Sequence, residues 1–109
     1  MTAVIIVRLR VEGIHCWPEC PFESVAFLRA EHRHEFHIVA FKGVTHLDRD
    51  VEIIMLKRAI TDFLRLQFGA PCQFGRMSCE TIAALLVEQF GLAECEVSED
   101  GENGAVVTP

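Results

Sequence analysis

Positive charge is scarce in this chain: 10 Lys and Arg stand against 16 Asp and Glu, a formal net charge of -6, and neither Lys nor Arg occurs after Arg76. Nucleic-acid binding needs a basic face, and adhesion to anionic lipid needs basic clusters, so neither partner is expected. Long apolar runs are also missing. The opening stretch Ala3–Val7 is short, meets Arg8 and Arg10, and has no cleavage site, so no secretory leader is expected. No stretch reaches the roughly 20 apolar residues of a membrane-spanning helix. The five cysteines, Cys16, Cys20, Cys72, Cys79 and Cys95, are odd in number and scattered, unlike a disulfide framework. Internal repeats and low-complexity segments are absent. A soluble protein in the reducing cytoplasm is the expectation.

What is present fits one domain over residues 1–109, half of them hydrophobic. A second independent core would not fit, so a larger pocket calls for a second subunit. Ala3 to Val11 alternates as a strand, with Ile5, Val7, Leu9 and Val11 on one face and Arg8, Arg10 and Glu12 on the other. Gly13 reads as its end, and Pro18 and Pro21 mark a loop over residues 16–22. A second strand is expected from about His34 to Val44, apolar on both faces and so buried on both. Val51–Ile54 reads as extended. From Met55 the period becomes helical, with Leu56, Ile60, Phe63, Leu64 and Phe68 on one stripe and Gly69 as the stop. Residues 70–77 read as a connection. Ser78 can cap a second helix, with Glu80 in its first turn and Gly91 at its end. Ala93–Ser98 and Ala105–Val107 read as two further strands. The predicted fold is α+β, in the order ββααββ: a four-stranded antiparallel sheet with both helices on one face.

The sharpest chemical feature is His32-Arg33-His34 at the start of the second strand. Residues two apart on a strand share a face, so both imidazoles can meet one ion. A hairpin between the first two strands would bring His15 beside them. Three neutral imidazoles with a free fourth position describe an open zinc site, one able to activate water or polarise a substrate oxygen. The plain alternative is a set of ordinary surface or core histidines, which is how His37 and His46 are read. A rival ligand set, Cys16, Cys20, His32 and His34, would make a closed structural zinc site. Glu99, Glu52 and Glu80 carry little meaning singly.

Together these pieces resemble the tetrahydropterin synthase family, the T-fold enzymes that include 6-pyruvoyl- and 6-carboxy-tetrahydropterin synthases. The likeness covers nearly the whole chain. Besides His15 and His32-Arg33-His34 with Phe36, it rests on three segments. Glu52-Ile53-Ile54-Met55-Leu56-Lys57 is similar to the family's acidic-aromatic-x-x-Leu-Lys start of its first helix. Ser78-Cys79-Glu80-Thr81-Ile82-Ala83 is similar to Thr-Ser-Glu-Asn-Leu-Ala, and Val97-Ser98-Glu99-Asp100 to Val-x-Glu-Thr. The resemblance implies zinc on His15, His32 and His34. It implies that Glu99 anchors the guanidine-like edge of a pterin or purine-type heterocycle. It also implies subunits joined as a dimer of trimers, a pocket between them, and substrates such as dihydroneopterin triphosphate. In that anchoring role, Glu99→Ala should weaken ligand binding and leave metal content unchanged; equal loss of both would defeat the role.

Two family features are missing. No Cys stands in Val25–Ala30, where the family carries its catalytic Cys, and no Asp-His pair lies between the helices, in Gly69–Arg76. Cys20 and Cys72 are the substitute candidates for a base, provided nearby positive charge lowers a thiol pKa. Three readings follow: a zinc lyase-like enzyme with altered acid–base residues, a pterin-, deazapurine- or nucleotide-binding protein without turnover, and a structural zinc protein using Cys16 and Cys20. Metal analysis of Cys16→Ser/Cys20→Ser decides the last, which fails if zinc stays bound.

Overall fold

A computed structural model describes residues Met1–Pro109. In chain order the elements are β1 (Ala3–His15), a 3-10 helix (Glu23–Arg29), β2 (His32–Val44), α1 (Ile53–Phe68), β3 (Cys72–Gly75), α2 (Cys79–Phe90), β4 (Glu94–Glu99) and β5 (Gly104–Val107). They build one five-stranded sheet in the order β3-β1-β2-β4-β5. The β1–β2, β2–β4 and β4–β5 pairs are antiparallel, and β3 runs parallel to β1.

The α+β class therefore stands, but the expected four-stranded antiparallel T-fold sheet in ββααββ order does not. The sheet is mixed and has five strands, and three helical segments accompany it. The extra strand is Cys72–Gly75, which follows Pro71 and reads in sequence as a connection. Cys72 and Phe74 point into the core while Gln73 and Gly75 are exposed, an alternation too short to stand out from sequence. This strand pairs with the last residues of β1, Gly13 to His15.

That pairing exists because Gly13 does not end β1. A Cβ at Gly13 would lie 2.6 Å from the Phe74 ring and 2.8 Å from the Phe36 ring. The glycine is there to let two aromatic rings close over the strand, and β1 runs on to His15.

Val7, Leu9 and Val11 of β1, Phe36, Ile38 and Ala40 of β2, and Cys95 and Val97 of β4 form one core with Leu56, Ile60 and Leu64 of α1 and Ile82, Ala83 and Leu86 of α2. Both helices thus cover one face of the sheet, as the pattern predicts. The opposite face is open: His37, Val39 and Phe41 are only half-buried rather than fully covered. Helix starts follow local chemistry. The Glu52 carboxylate accepts from the N–H groups of Ile54 and Met55 at 2.9 and 3.0 Å, so α1 begins at Ile53 and the stretch expected to be extended is cut short. Those N–H groups also hold the Glu52 carboxyl below its usual range. Ser78 Oγ accepts from Thr81 N–H at 3.2 Å, and Gly91 ends α2 in the left-handed region, both as expected. No helix is long and apolar enough to cross a membrane.

Gly13→Ala should overpack this contact and cost about 1–3 kcal/mol. Urea unfolding measures it; an unchanged midpoint would contradict the close approach.

Candidate metal centre

The β1–β2 register sets His15 directly across from His32, and Gly13 across from His34. His32 and His34 share the helix-covered face with Phe36, and His15 shares it with Val11. Ring centroids lie 4.5 Å apart for His15–His32, 5.1 Å for His32–His34 and 5.5 Å for His15–His34. The Phe36 ring forms the floor, 5.1 Å from His15 and 5.8 Å from His34. β4 adds Glu99, which stands opposite Phe36 in the ladder. One ligand atom from each of His15, His32, His34 and Glu99 lies within 4.8 Å of the others, so this group could hold a metal ion. The expected histidine trio does converge, and Glu99 joins it.

The protons on the rings follow from their partners. His15 Nδ1 is 2.9 Å from the Met77 carbonyl oxygen, His32 Nδ1 2.9 Å from that of Ala30, and His34 Nδ1 2.8 Å from Asp100 Oδ2. All three oxygens accept only, so every Nδ1 carries a proton and donates it. The three Nε2 atoms are buried and have no hydrogen-bond partner. Glu99 Oε2 approaches His15 Nε2 to 2.8 Å and His34 Nε2 to 3.3 Å. The first distance suits a hydrogen bond, but the contact lacks the alignment a ring N–H requires, so it leaves Nε2 unsatisfied.

Each buried polar atom left unpaired costs about 1–3 kcal/mol. Protonating all three rings would crowd three cations around one carboxylate. A metal ion removes both problems, because it uses the Nε2 lone pairs that the Nδ1 hydrogen bonds leave free. The donor set fits a divalent cation that accepts nitrogen and oxygen.

Asp100 also belongs to the site, through His34, although the sequence does not mark it. It takes a positive φ of 58°, which Asp tolerates better than most residues. Its Oδ1 accepts the Glu35 N–H at 3.0 Å, and its own N–H donates to the Glu35 carbonyl at 2.8 Å. The Glu35 N–H, then the His34 ring, hold its carboxyl below the usual range and keep it an ionised acceptor. Its only sequence signal is its place just after Glu99. The Met77 and Ala30 carbonyls leave no signal, being main chain.

The cysteines are placed elsewhere. Neither Cys16 nor Cys20 supplies an atom to the cluster. Cys20 is buried, with Sγ 3.7 Å from the Phe22 carbonyl and 3.9 Å from that of Val25. Cys72 lies in the core with Sγ 3.9 Å from the Leu64 carbonyl, and burial raises its pKa. His37 pairs with Glu35 at 2.9 Å and His46 with Asp50 at 3.7 Å, both apart from the cluster.

A cleft of about 490 Å3 opens beside the histidines. His15, His32 and Glu99 line it, together with Trp17, Leu28 and residues Arg76 to Glu80 at the start of α2. Cys16 lines it, whereas Cys20 and Cys72 do not. Cys79 also lines it, but burial, then Glu99 and Glu80, push its thiol up to about 11. A bond from Cys16 N–H to the Gly75 carbonyl at 2.8 Å and an Arg76–Glu19 ion pair tie the segment after β1 to the β3–α2 connection. No protein-family model matches this sequence, and no curated protein matches it.

If the group holds a divalent metal ion, Asp100→Ala should lower affinity for it roughly 10–100-fold, as loss of a partner that orients a ligand does. Competition with a chelator measures it; equal affinity would show that His34 needs no acceptor on Nδ1.

Proposed function

We propose that this chain is a zinc protein, similar to the tetrahydropterin synthases, that binds a pterin- or purine-type heterocycle in the cleft beside His15, His32 and His34. The observation that carries the metal is the trio of partnerless Nε2 atoms, each on a ring whose Nδ1 proton is already committed. Zinc suits imidazole and carboxylate donors and needs no redox partner. When bound, the ion supplies a Lewis acid for an oxygen of the molecule in the cleft.

The heterocycle rests on the resemblance, and the cleft supports it. Its volume of about 490 Å3 falls within the range of small-molecule sites. Trp17 and Leu28 give its lining apolar surface, while Glu99 and Asn103 offer polar groups for the edge of a ring. Glu99 keeps the anchoring role that the resemblance gives it. The proposal assigns no catalytic base: the family's Cys and Asp-His pair have no counterpart, and of the two cysteines that line the cleft, Cys16 and Cys79, the second has its thiol pushed up to about 11 by burial. Self-association belongs to the same reading, and exposed Val4, Ile6 and Val106 on the helix-free face of the sheet are consistent with it. The thiolate alternative draws no support from Cys16 and Cys20, which lie outside the cluster.

The test uses the chain's single Trp and its lack of Tyr, which make intrinsic emission a report on Trp17 in the cleft. The expected result is one zinc per chain, lost in His32→Ala/His34→Ala, and saturable quenching of Trp17 by neopterin. A chain that takes up no zinc near neutral pH contradicts the metal. Bound zinc with emission unmoved by neopterin contradicts the heterocycle.

A further inference from the structure

Glu99 is in an awkward position unless a cation lies between it and the histidines. Its Oε2 is 2.8 Å from His15 Nε2 and 3.3 Å from His34 Nε2. The protons of both rings sit on Nδ1, committed to the Met77 carbonyl and to Asp100. A carboxylate oxygen therefore faces two nitrogen lone pairs, three acceptors with no donor among them. Such a contact is repulsive by itself and attractive around a shared cation. Donors at 2.0–2.1 Å from a tetrahedral zinc ion stand about 3.3 Å from each other; the His34 contact has that spacing, and the His15 contact at 2.8 Å is shorter.

The backbone beneath Glu99 is pinned while its side chain is not. Its N–H donates to the Asn103 carbonyl at 2.8 Å, and the next residue, Asp100, is tied to Glu35 through both its N–H and its side chain. The carboxylate is partly exposed and also lines the cleft. One side chain thus borders both the ligand cluster and the space where a small molecule would sit.

Resting on the metal reading above, we infer that Glu99 is the fourth protein ligand when the cleft is empty, and that it leaves the ion to receive the polar edge of an incoming molecule. Glu99 is then a gate as well as an anchor. In the empty protein four side chains close the coordination sphere. Rotation of Glu99 about its side-chain bonds opens one position and turns a carboxylate towards the cleft in the same motion. Anchoring alone would leave metal affinity indifferent to Glu99, and the gate makes it sensitive.

Cobalt(II) in place of zinc reports coordination by its visible spectrum, and azide probes for an open position. The wild-type cobalt protein should show a spectrum unmoved by azide. Glu99→Ala should respond to azide and should bind zinc roughly 10–100-fold more weakly, the loss that even an outer-shell partner causes. Glu99→Gln, which keeps the side-chain volume, carries the same comparison if the alanine variant does not fold. An azide response in the wild type, or unchanged zinc affinity in the variants, overturns the gate while leaving the three-histidine site intact. Failure of the wild type to take up either metal defeats the metal reading itself.

Discussion

The centre depends on the antiparallel register between β1 and β2. Thirteen residue pairs run from Ala3↔Val44 to His15↔His32. A slip of one residue would turn His32 and His34 to the opposite face and leave His15 alone. The register is held by side chains far from the histidines, since Val7, Leu9 and Val11 must meet Phe36, Ile38 and Ala40 in the core under the helices. Near the site it is held by Gly13, whose missing side chain admits the Phe36 and Phe74 rings. Packing at the floor therefore positions the imidazoles above it. The addition of β3 to the end of β1, with an irregularity between Ile14 and His15, anchors the strand where it would otherwise fray.

Orientation of the rings draws on three separate segments. The Ala30 carbonyl precedes β2, the Met77 carbonyl precedes α2, and Asp100 follows β4. A cation bound at the Nε2 atoms would link the connection ahead of β2, the start of α2 and the β4–β5 turn, and would couple metal affinity to the integrity of the fold. A net charge of -6 favours a cation in the same direction, and the acid around Glu99 and Asp100 concentrates that effect at the site. The cleft lies against the same segments, so its lining adjoins the groups that orient the imidazoles.

Much of this was legible in the sequence. His32 and His34 declare a shared face by their spacing, and the alternation before His15 identifies the strand that brings it near. Ser78 and Gly91 mark the limits of α2, and the stripes of both helices place them on one face of the sheet. Other features were hidden for physical reasons. Gly13 reads as a strand end because glycine usually signals a turn, whereas its purpose is a contact with Phe74, distant in sequence. β3 escapes notice because four residues after a proline give too little alternation to recognise. The helical turns at Glu23–Arg29 bury no residue fully, so no apolar stripe announces them. Asp100 disappears into an acidic stretch, and its role becomes visible only when β4 is placed beside β2. Family likeness suggests only an anchor at Glu99; its approach to two Nε2 atoms is a fact of three dimensions.

X-ray absorption of the zinc-loaded chain tests the central claim most directly. The account predicts a first shell of nitrogen and oxygen at about 2.0–2.1 Å with the outer scattering of three imidazoles. A sulfur shell near 2.3 Å, or the scattering of fewer than three imidazoles, would contradict it.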